Sequence, residues 1–310
     1  MTMTQSSASN SERRTCIITP YLPSPSETFI RAHAERLPGR IILIHGWPPS
    51  IGDRPILSWT RRGLQKVWHT FAAGDSPTTA AYLKAFRRYR PAVVLAEYGT
   101  TGALVLPACR RAKIPLVIHF HGFDASVRAV LQENAKTYPT MFHEAAGVVS
   151  VSRTMHQRLI TLGASPERLH YNPCGVDCRQ FAGADPAAAL PTFLAVGRFV
   201  EKKAPQQTLR AFAEVYRRFP SAELRMVGDG PLLQECRRLT RELLIEAAVT
   251  FLGTQPPSVV QEEMRRARCF VQHSVEASPG DCEGTPGGFS KREPVAYRWW
   301  RRVTGAYRTL

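Results

Sequence analysis

Short apolar runs rich in β-branched residues recur along the first half of this chain, and they limit the fold more than any other feature. They are "TCIIT" (15–19), "RIILIH" (40–45), "AVVLAEY" (92–98), "PLVIHF" (115–120) and "GVVSVS" (147–152). Amphipathic stretches such as "TTAAYLKAFRRYR" and "TGALVLPACRRAK" lie between them. A strand that is apolar throughout is buried on both faces, so strand and helix in alternation predict a parallel sheet covered by helices. The stretch "NPCGVDCRQFAGADPAAALPT" (172–192) has no periodicity and suits a connection between domains. The alternation then restarts with "TFLAVG" (192–197), "AELRMVG" (222–228), "VTFLG" (249–253) and "RCFVQHS" (268–274), separated by the helical patterns "APQQTLRAFAEVYRRF" and "GPLLQECRRLTRELL". The expected architecture is α/β, with two Rossmann-like doubly wound domains facing a cleft. Residues 1–13 are expected to form a disordered tail, 14–175 the first domain, 176–192 a linker and 193–286 a partial second domain.

Length and charge narrow the partners. At 310 residues, 44% of them hydrophobic, the chain can bury two cores. Its formal charge of +16 favours anionic partners: nucleotide phosphates, an acidic membrane surface or nucleic acid. Nucleic acid is set aside, because no recognition motif is present and the charge is dispersed. The opening "MTMTQSSASNSERR" is polar, and no run approaches the roughly 20 apolar residues that span a bilayer. A cytoplasmic protein is expected, with peripheral contact at the inner membrane face as a further partner. The seven cysteines are odd in number and scattered, so free thiols are expected. Cys174 and Cys178 are the one close pair and have no further ligand at short spacing, so no metal is expected.

Ligands of doubly wound sheets bind beyond the carboxyl ends of the strands, which directs attention to four loops. In "VGRFVEKKAP", Arg198 and Lys203 flank the start of an expected helix. Guanidinium, ammonium and free backbone N–H groups together make a diphosphate clamp, although a solvated basic loop would read the same way. In "HFHGFDAS", His121 and Asp124 are expected to point into the cleft. His119 and His121, at alternating positions, are expected not to enter one site together. His121 on its own reads either as catalytic or as a satisfied structural residue. In "DCEGTP", Asp281 and Glu283 would lie near the "VGRF" loop, where a carboxylate could hold sugar hydroxyls or merely start a helix. The fourth loop, "TPYLPSPSETFI", has no glycine, and this excludes the G-x-G-x-x-G turn of a dinucleotide enzyme.

Taken in order, "SETFI", "HFHGFDAS", "PCGVD", "VGRFVEKKAP", "RMVGDGPL", "VTFLG" and "EGTP" resemble the group 1 (family 4) retaining glycosyltransferases of the GT-B fold, from Cys16 to Pro286. The resemblance implies transfer of a sugar from a nucleotide diphosphate sugar to a glycan or lipid-linked acceptor, with retention and without metal or cofactor. It implies that Arg198 and Lys203 hold the donor diphosphate, that His121 contacts the donor sugar, and that Glu283 touches sugar hydroxyls. It also implies that Leu252, Gly253, Gly284 and Thr285 lie against the donor base or sugar. Ser26 and Glu27 fall on the acceptor-side loop, which here lacks the glycine pair common in the family.

After Pro286 the text changes character. From Gly287 onward, Lys291, Arg292, Arg298, Arg301, Arg302 and Arg308 face a single Glu293, and no apolar face repeats. In the family a second glutamate lies eight positions after the first, where this chain has Lys291. One permitted reading of the codons for 288–310 in a shifted frame, with the free third bases chosen to suit, is FLEAGACGIPVVATRHGGIPDA, a family-like segment with Glu at 291. A one-base shift near Pro286 to Gly288 is therefore expected, making 287–310 an aberrant basic tail and leaving the second domain incomplete. Such a chain is expected to transfer little or no sugar. The alternative is a non-catalytic remnant that binds acceptor or membrane surface.

Overall fold

The computed structural model describes residues 13–23, 27–57, 76–175, 179, 182–278 and 280. The expectations on the N-terminal tail, on Ser26, on Cys178, and on Asp281, Glu283, Gly284, Thr285 and the basic tail lie outside the described residues. The chain forms two compact units, Met1–Pro173 and Cys174–Leu310. Among the described residues no helix is long and apolar enough to cross a membrane.

The first unit is built on an eight-stranded sheet. Its strands are β1 (Arg14–Thr19), β2 (Arg40–His45), β3 (Ser50–Ile51), β4 (Arg54–Pro55), β5 (Val93–Glu97), β6 (Leu116–Phe120), β7 (Gly147–Ser150) and β8 (Leu169–Tyr171), in spatial order β4-β3-β2-β1-β5-β6-β7-β8. Pairing is parallel throughout except at the two-residue β3 and β4, which add an antiparallel hairpin to one edge. β1 is central, with Ile17 opposite both Leu43 and Leu95. Ile17, Ile18, Val94 and Ile118 have no exposed surface, as strands covered on both faces require.

The helices that position the site are α1 (Thr28–Arg36), α2 (Pro77–Tyr89) and α3 (Gly99–Ala112). α2 starts where the sequence signals it: the Ser76 hydroxyl accepts the Thr79 N–H at 3.2 Å and Pro77 follows the cap. α3 lies hard against β6, since a Cβ on Gly99 would come within 2.2 Å of the Phe120 ring. Only glycine permits that approach. Three short helices, α4 (Phe123–Ser126), α5 (Arg128–Glu133) and α6 (Thr137–Glu144), follow β6, and α7 (Arg153–Thr161) follows β7.

The second unit repeats the scheme with β9 (Thr192–Val196), α8 (Pro205–Arg218), β10 (Glu223–Val227), α9 (Leu233–Glu242), β11 (Val249–Gly253), α10 (Pro257–Arg266) and β12 (Cys269–Phe270). Its strand order is β11-β10-β9-β12, all parallel. Phe199, Leu209, Phe212, Leu224 and Met226 form its main core. Arg225 on β10 forks onto the Glu263 carboxylate of α10 at 2.6 and 2.7 Å. Arg268 donates to the carbonyls of Ala187 and Ala189, and this holds the end of the expected linker against this unit.

β12 is shorter than the 268–274 expected. After Val271 donates to Leu194 the chain leaves the sheet, and Val275 donates instead to the Lys202 carbonyl.

Candidate functional site

In the first unit the strand order reverses between β1 and β5, so the carboxyl ends of β1, β5 and β6 mark its switch point. There the last residue of β5, Glu97, is fully buried and gathers three imidazoles. His33 Nδ1, from α1, lies 2.6 Å from Glu97 Oε1. His121 Nε2 lies 2.8 Å from Oε2, and His119 Nδ1 is 3.3 Å from the same oxygen. The expectation that His119 and His121 cannot share a site is corrected here. Residues two apart on a strand project from the same face, and the two rings sit with centroids 4.1 Å apart.

Burial alone would raise the Glu97 pKa, but hydrogen bonds from His119, His121 and His33 outweigh it and hold the carboxyl well below its ordinary range. Burial pushes His119 down to about 4, so its ring is neutral at neutral pH. Among the described residues its Nε2 has no partner. Donor atoms of His33, Glu97 and His119 all lie within 4.8 Å of one another, a set that suits a divalent cation in kind. The spacing does not suit one: 2.6 Å is a hydrogen-bond length, whereas ligands about 2.0–2.1 Å from tetrahedral zinc stand more than about 3 Å apart.

Aromatic rings and a second carboxylate complete this corner. Phe29 stacks on His121 with centroids 4.0 Å apart, and Tyr98 meets its edge at 4.9 Å. Glu27, of the expected acceptor-side loop, is buried, and its Oε1 accepts the hydroxyl of Tyr21 at 2.8 Å and that of Tyr98. Tyr98 has a φ of 75°, a strained setting for a residue with a side chain. Its N–H donates to the His119 carbonyl at 2.8 Å, which helps to hold it there.

Asp124 does not point outward as expected. It has no exposed surface, and its carboxylate accepts the backbone N–H groups of Gly99 at 2.8 Å, Gly122 at 2.8 Å and His121 at 3.1 Å. Burial raises its pKa against the pull of these bonds. His121 and Gly122, just past the end of β6, and Gly99, at the start of α3, have N–H groups that the aspartate satisfies. It thereby fastens the end of β6 to the start of α3.

In the second unit the switch point lies between β9 and β12. The loop leaving β9 is pinned from several sides. Gly197 donates to the Val227 carbonyl, Phe199 to that of Asp229, and Leu232 back to that of Phe199. The Phe199 ring is buried, while the adjacent Arg198 is exposed. Gly228, at φ 136°, makes the close approach feasible, since a Cβ there would stand 2.0 Å from the Gly197 oxygen. Lys203 closes a 3-10 turn (Glu201–Lys203), and its aliphatic stem passes beside Gly197. Arg198 and Lys203 thus line one small cavity of about 30 Å³ together with Pro205 and Thr208 at the start of α8. Gln272 lines it too, and among the described residues its buried Nε2 has no partner.

The loop after β12 returns to this turn: the Ser278 N–H reaches Glu201 Oε1 at 3.2 Å and that of Val275 reaches the Lys202 carbonyl at 3.0 Å. Leu252 and Gly253 end β11 at the same end of the sheet, where the Gly253 carbonyl accepts the Gly228 N–H at 2.8 Å. Sequence reasoning missed Glu97 and His33. A charged residue inside the apolar run "AVVLAEY" was the available signal for the first, since a buried carboxylate needs donors around it.

Two families match this chain: Glycosyltransferase Family 4 over residues 26–180, and Glycosyl transferases group 1 over residues 183–286. The chain belongs to Glycosyltransferase Family 4. Among curated relatives of this chain, the amylovoran biosynthesis glycosyltransferase AmsK of Erwinia amylovora is 27% identical over 199 residues, covering 63% of this chain and 49% of that one. A D-inositol 3-phosphate glycosyltransferase of Nocardia farcinica is 28% identical over 294 residues, covering 84% and 64%. The chain spans about half the length of the first of these.

Solved structures agree on the fold. Anabaena HepE, in complex with UDP and glucose, has a TM-score of 0.60 at 15% identity, covering 84% of this chain and 74% of that one. Sucrose-phosphate synthase from Thermosynechococcus elongatus reaches 0.62 at 15% identity, covering 90% and 79%. At such identity these likenesses speak for architecture alone, which is that of GT-B enzymes with two Rossmann-like domains.

Proposed function

We infer that this glycosyltransferase moves a hexosyl group from a nucleotide diphosphate sugar to a glycan or lipid-linked acceptor in exopolysaccharide synthesis, with retention at the anomeric carbon. The observation that carries the reading is the pairing of Arg198 and Lys203 on one braced loop at the start of α8. As the glycosidic bond to the diphosphate breaks, negative charge grows on the leaving oxygens. A guanidinium, an ammonium and the first N–H groups of a helix stabilise that charge more than they stabilise the intact donor. No metal or cofactor is needed for that role. Support also comes from AmsK, named for amylovoran biosynthesis, and from HepE, which holds UDP and glucose. His121 would contact the donor sugar and Glu283 its hydroxyls. The enzyme would work in the cytoplasm, with its acceptor at the inner membrane face.

The match to the group 1 family runs to residue 286, and there the composition turns basic and loses its apolar period. We propose that the reading frame shifts between Pro286 and Gly288, so that the segment with Lys291 replaces donor-site residues. Sequencing the gene through codons 283–295 tests this, with a family-like frame expected to continue from 288. Incubating the chain and its frame-restored form with UDP-glucose and GDP-mannose tests the activity. Sugar transfer by the restored form and little by the chain as given is expected. Equal transfer by both would overturn the role given to the lost segment.

A further inference from the structure

The first unit holds a buried anion that neither the diphosphate clamp nor the acceptor loop uses. Glu97 ends β5 with no exposed surface and has an imidazole on each carboxylate oxygen. An ionised carboxylate only accepts hydrogen bonds, so each ring nitrogen that faces it carries the proton. The proton of His121 therefore sits on Nε2, 2.8 Å from Glu97 Oε2. The ring cannot turn away, because Phe29 stacks on one side at 4.0 Å and Tyr98 meets its edge at 4.9 Å. The backbone N–H of His121 is fixed as well, 3.1 Å from the Asp124 carboxylate. Its remaining nitrogen, Nδ1, has no hydrogen bond among the described residues.

We propose that Glu97 is a positioning residue that locks His121 as the Nε2–H tautomer, so that Nδ1 presents a lone pair to a hydroxyl of the donor sugar. His33 serves the same end by donating to the other Glu97 oxygen, 2.6 Å away, which keeps the carboxylate from rotating. Histidine with the opposite tautomer would present an N–H, and a sugar hydroxyl would then have to accept where it now donates. The choice of tautomer thus sets the direction of one hydrogen bond to the ligand. The step from tautomer to sugar recognition rests on the proposed function.

Imidazole 15N NMR of the full chain labelled at histidine tests the two parts separately, with the His121 signals assigned by their loss in His121→Asn. The wild-type chain at neutral pH should show a protonated Nε2 and an unprotonated Nδ1. Glu97→Gln, whose amide can donate as well as accept, should shift His121 toward the Nδ1–H form, and Glu97→Asp should restore part of the wild-type signal. A wild-type His121 protonated on Nδ1, or a tautomer that ignores Glu97→Gln in a folded protein, overturns the proposal. In the frame-restored protein Glu97→Gln should lower kcat/KM for UDP-glucose or GDP-mannose by about tenfold or more, with Glu97→Asp intermediate. A tautomer that shifts while kcat/KM stays unchanged would remove the recognition role. No transfer by any form, with the tautomer as expected, would sink the proposed function and leave the positioning of His121 standing.

Discussion

Replacing Asp124 with alanine should destabilise the first unit severely, and the size of the effect follows from its contacts. The carboxylate is the acceptor for three backbone N–H groups, those of Gly99, Gly122 and His121, at 2.8, 2.8 and 3.1 Å. Each buried donor left without a partner costs on the order of 1–3 kcal/mol. Burying the carboxylate is itself unfavourable and raises its pKa, so removing it returns part of that cost. A net loss of about 3 kcal/mol remains, against a total of roughly 5–15 kcal/mol for a domain. Asp124→Asn keeps one acceptor oxygen and should fall between. Guanidinium unfolding followed by circular dichroism measures the loss, and hydrogen exchange at the three amides locates it. If the alanine variant loses less than about 1 kcal/mol and the amides of Gly99 and His121 stay protected, this account of the loop is wrong.

Acidification should weaken the first unit through His119 and Glu97. The folded pKa of His119, about 4, lies below its ordinary 6.5, so its contribution is fully present above pH 6.5 and is lost as pH falls toward 4. The swing is up to roughly 3 kcal/mol. Glu97, also depressed, adds stability present above the ordinary carboxylate range and lost further down, as pH falls through its folded pKa. Denaturation midpoints measured from pH 7 to 4 should fall, and His119→Gln should flatten that slope; an unchanged midpoint would contradict the His119 assignment. Gly228→Ala should open the braced loop of the second unit, because its Cβ would stand 2.0 Å from the Gly197 oxygen at a φ of 136°. A loss of roughly 2–3 kcal/mol is expected in thermal unfolding, and a stable Gly228→Ala with full donor turnover would show that the brace is dispensable.

Much of the architecture was legible because buried parallel strands write continuous apolar runs. "RIILIH" has the bounds of β2, and "VTFLG" those of β11. The β3–β4 hairpin was not legible, since two-residue strands such as Ser50–Ile51 and Arg54–Pro55 carry no period. The helices α4 (Phe123–Ser126) and α5 (Arg128–Glu133) were not legible either, since such short segments carry no apolar period, and α5 buries none of its residues. At the site, Arg198 and Lys203 could be placed from their spacing around a helix start. Glu97 could not, because its role depends on imidazoles from α1 and β6 that no local window brings together. His119 and His121 were misplaced by a wrong application of strand alternation, and the period of two in fact joins them.

The central claim is that Arg198 and Lys203 clamp the diphosphate of a sugar nucleotide. The most direct test is sugar-transfer turnover of the frame-restored protein, in wild-type form and with Arg198→Ala or Lys203→Ala. Each substitution should lower turnover by more than about tenfold while circular dichroism shows an intact fold, because each removes a charge-assisted contact that strengthens as the bond breaks. Wild-type turnover in both variants would contradict the assignment of this loop as the donor site.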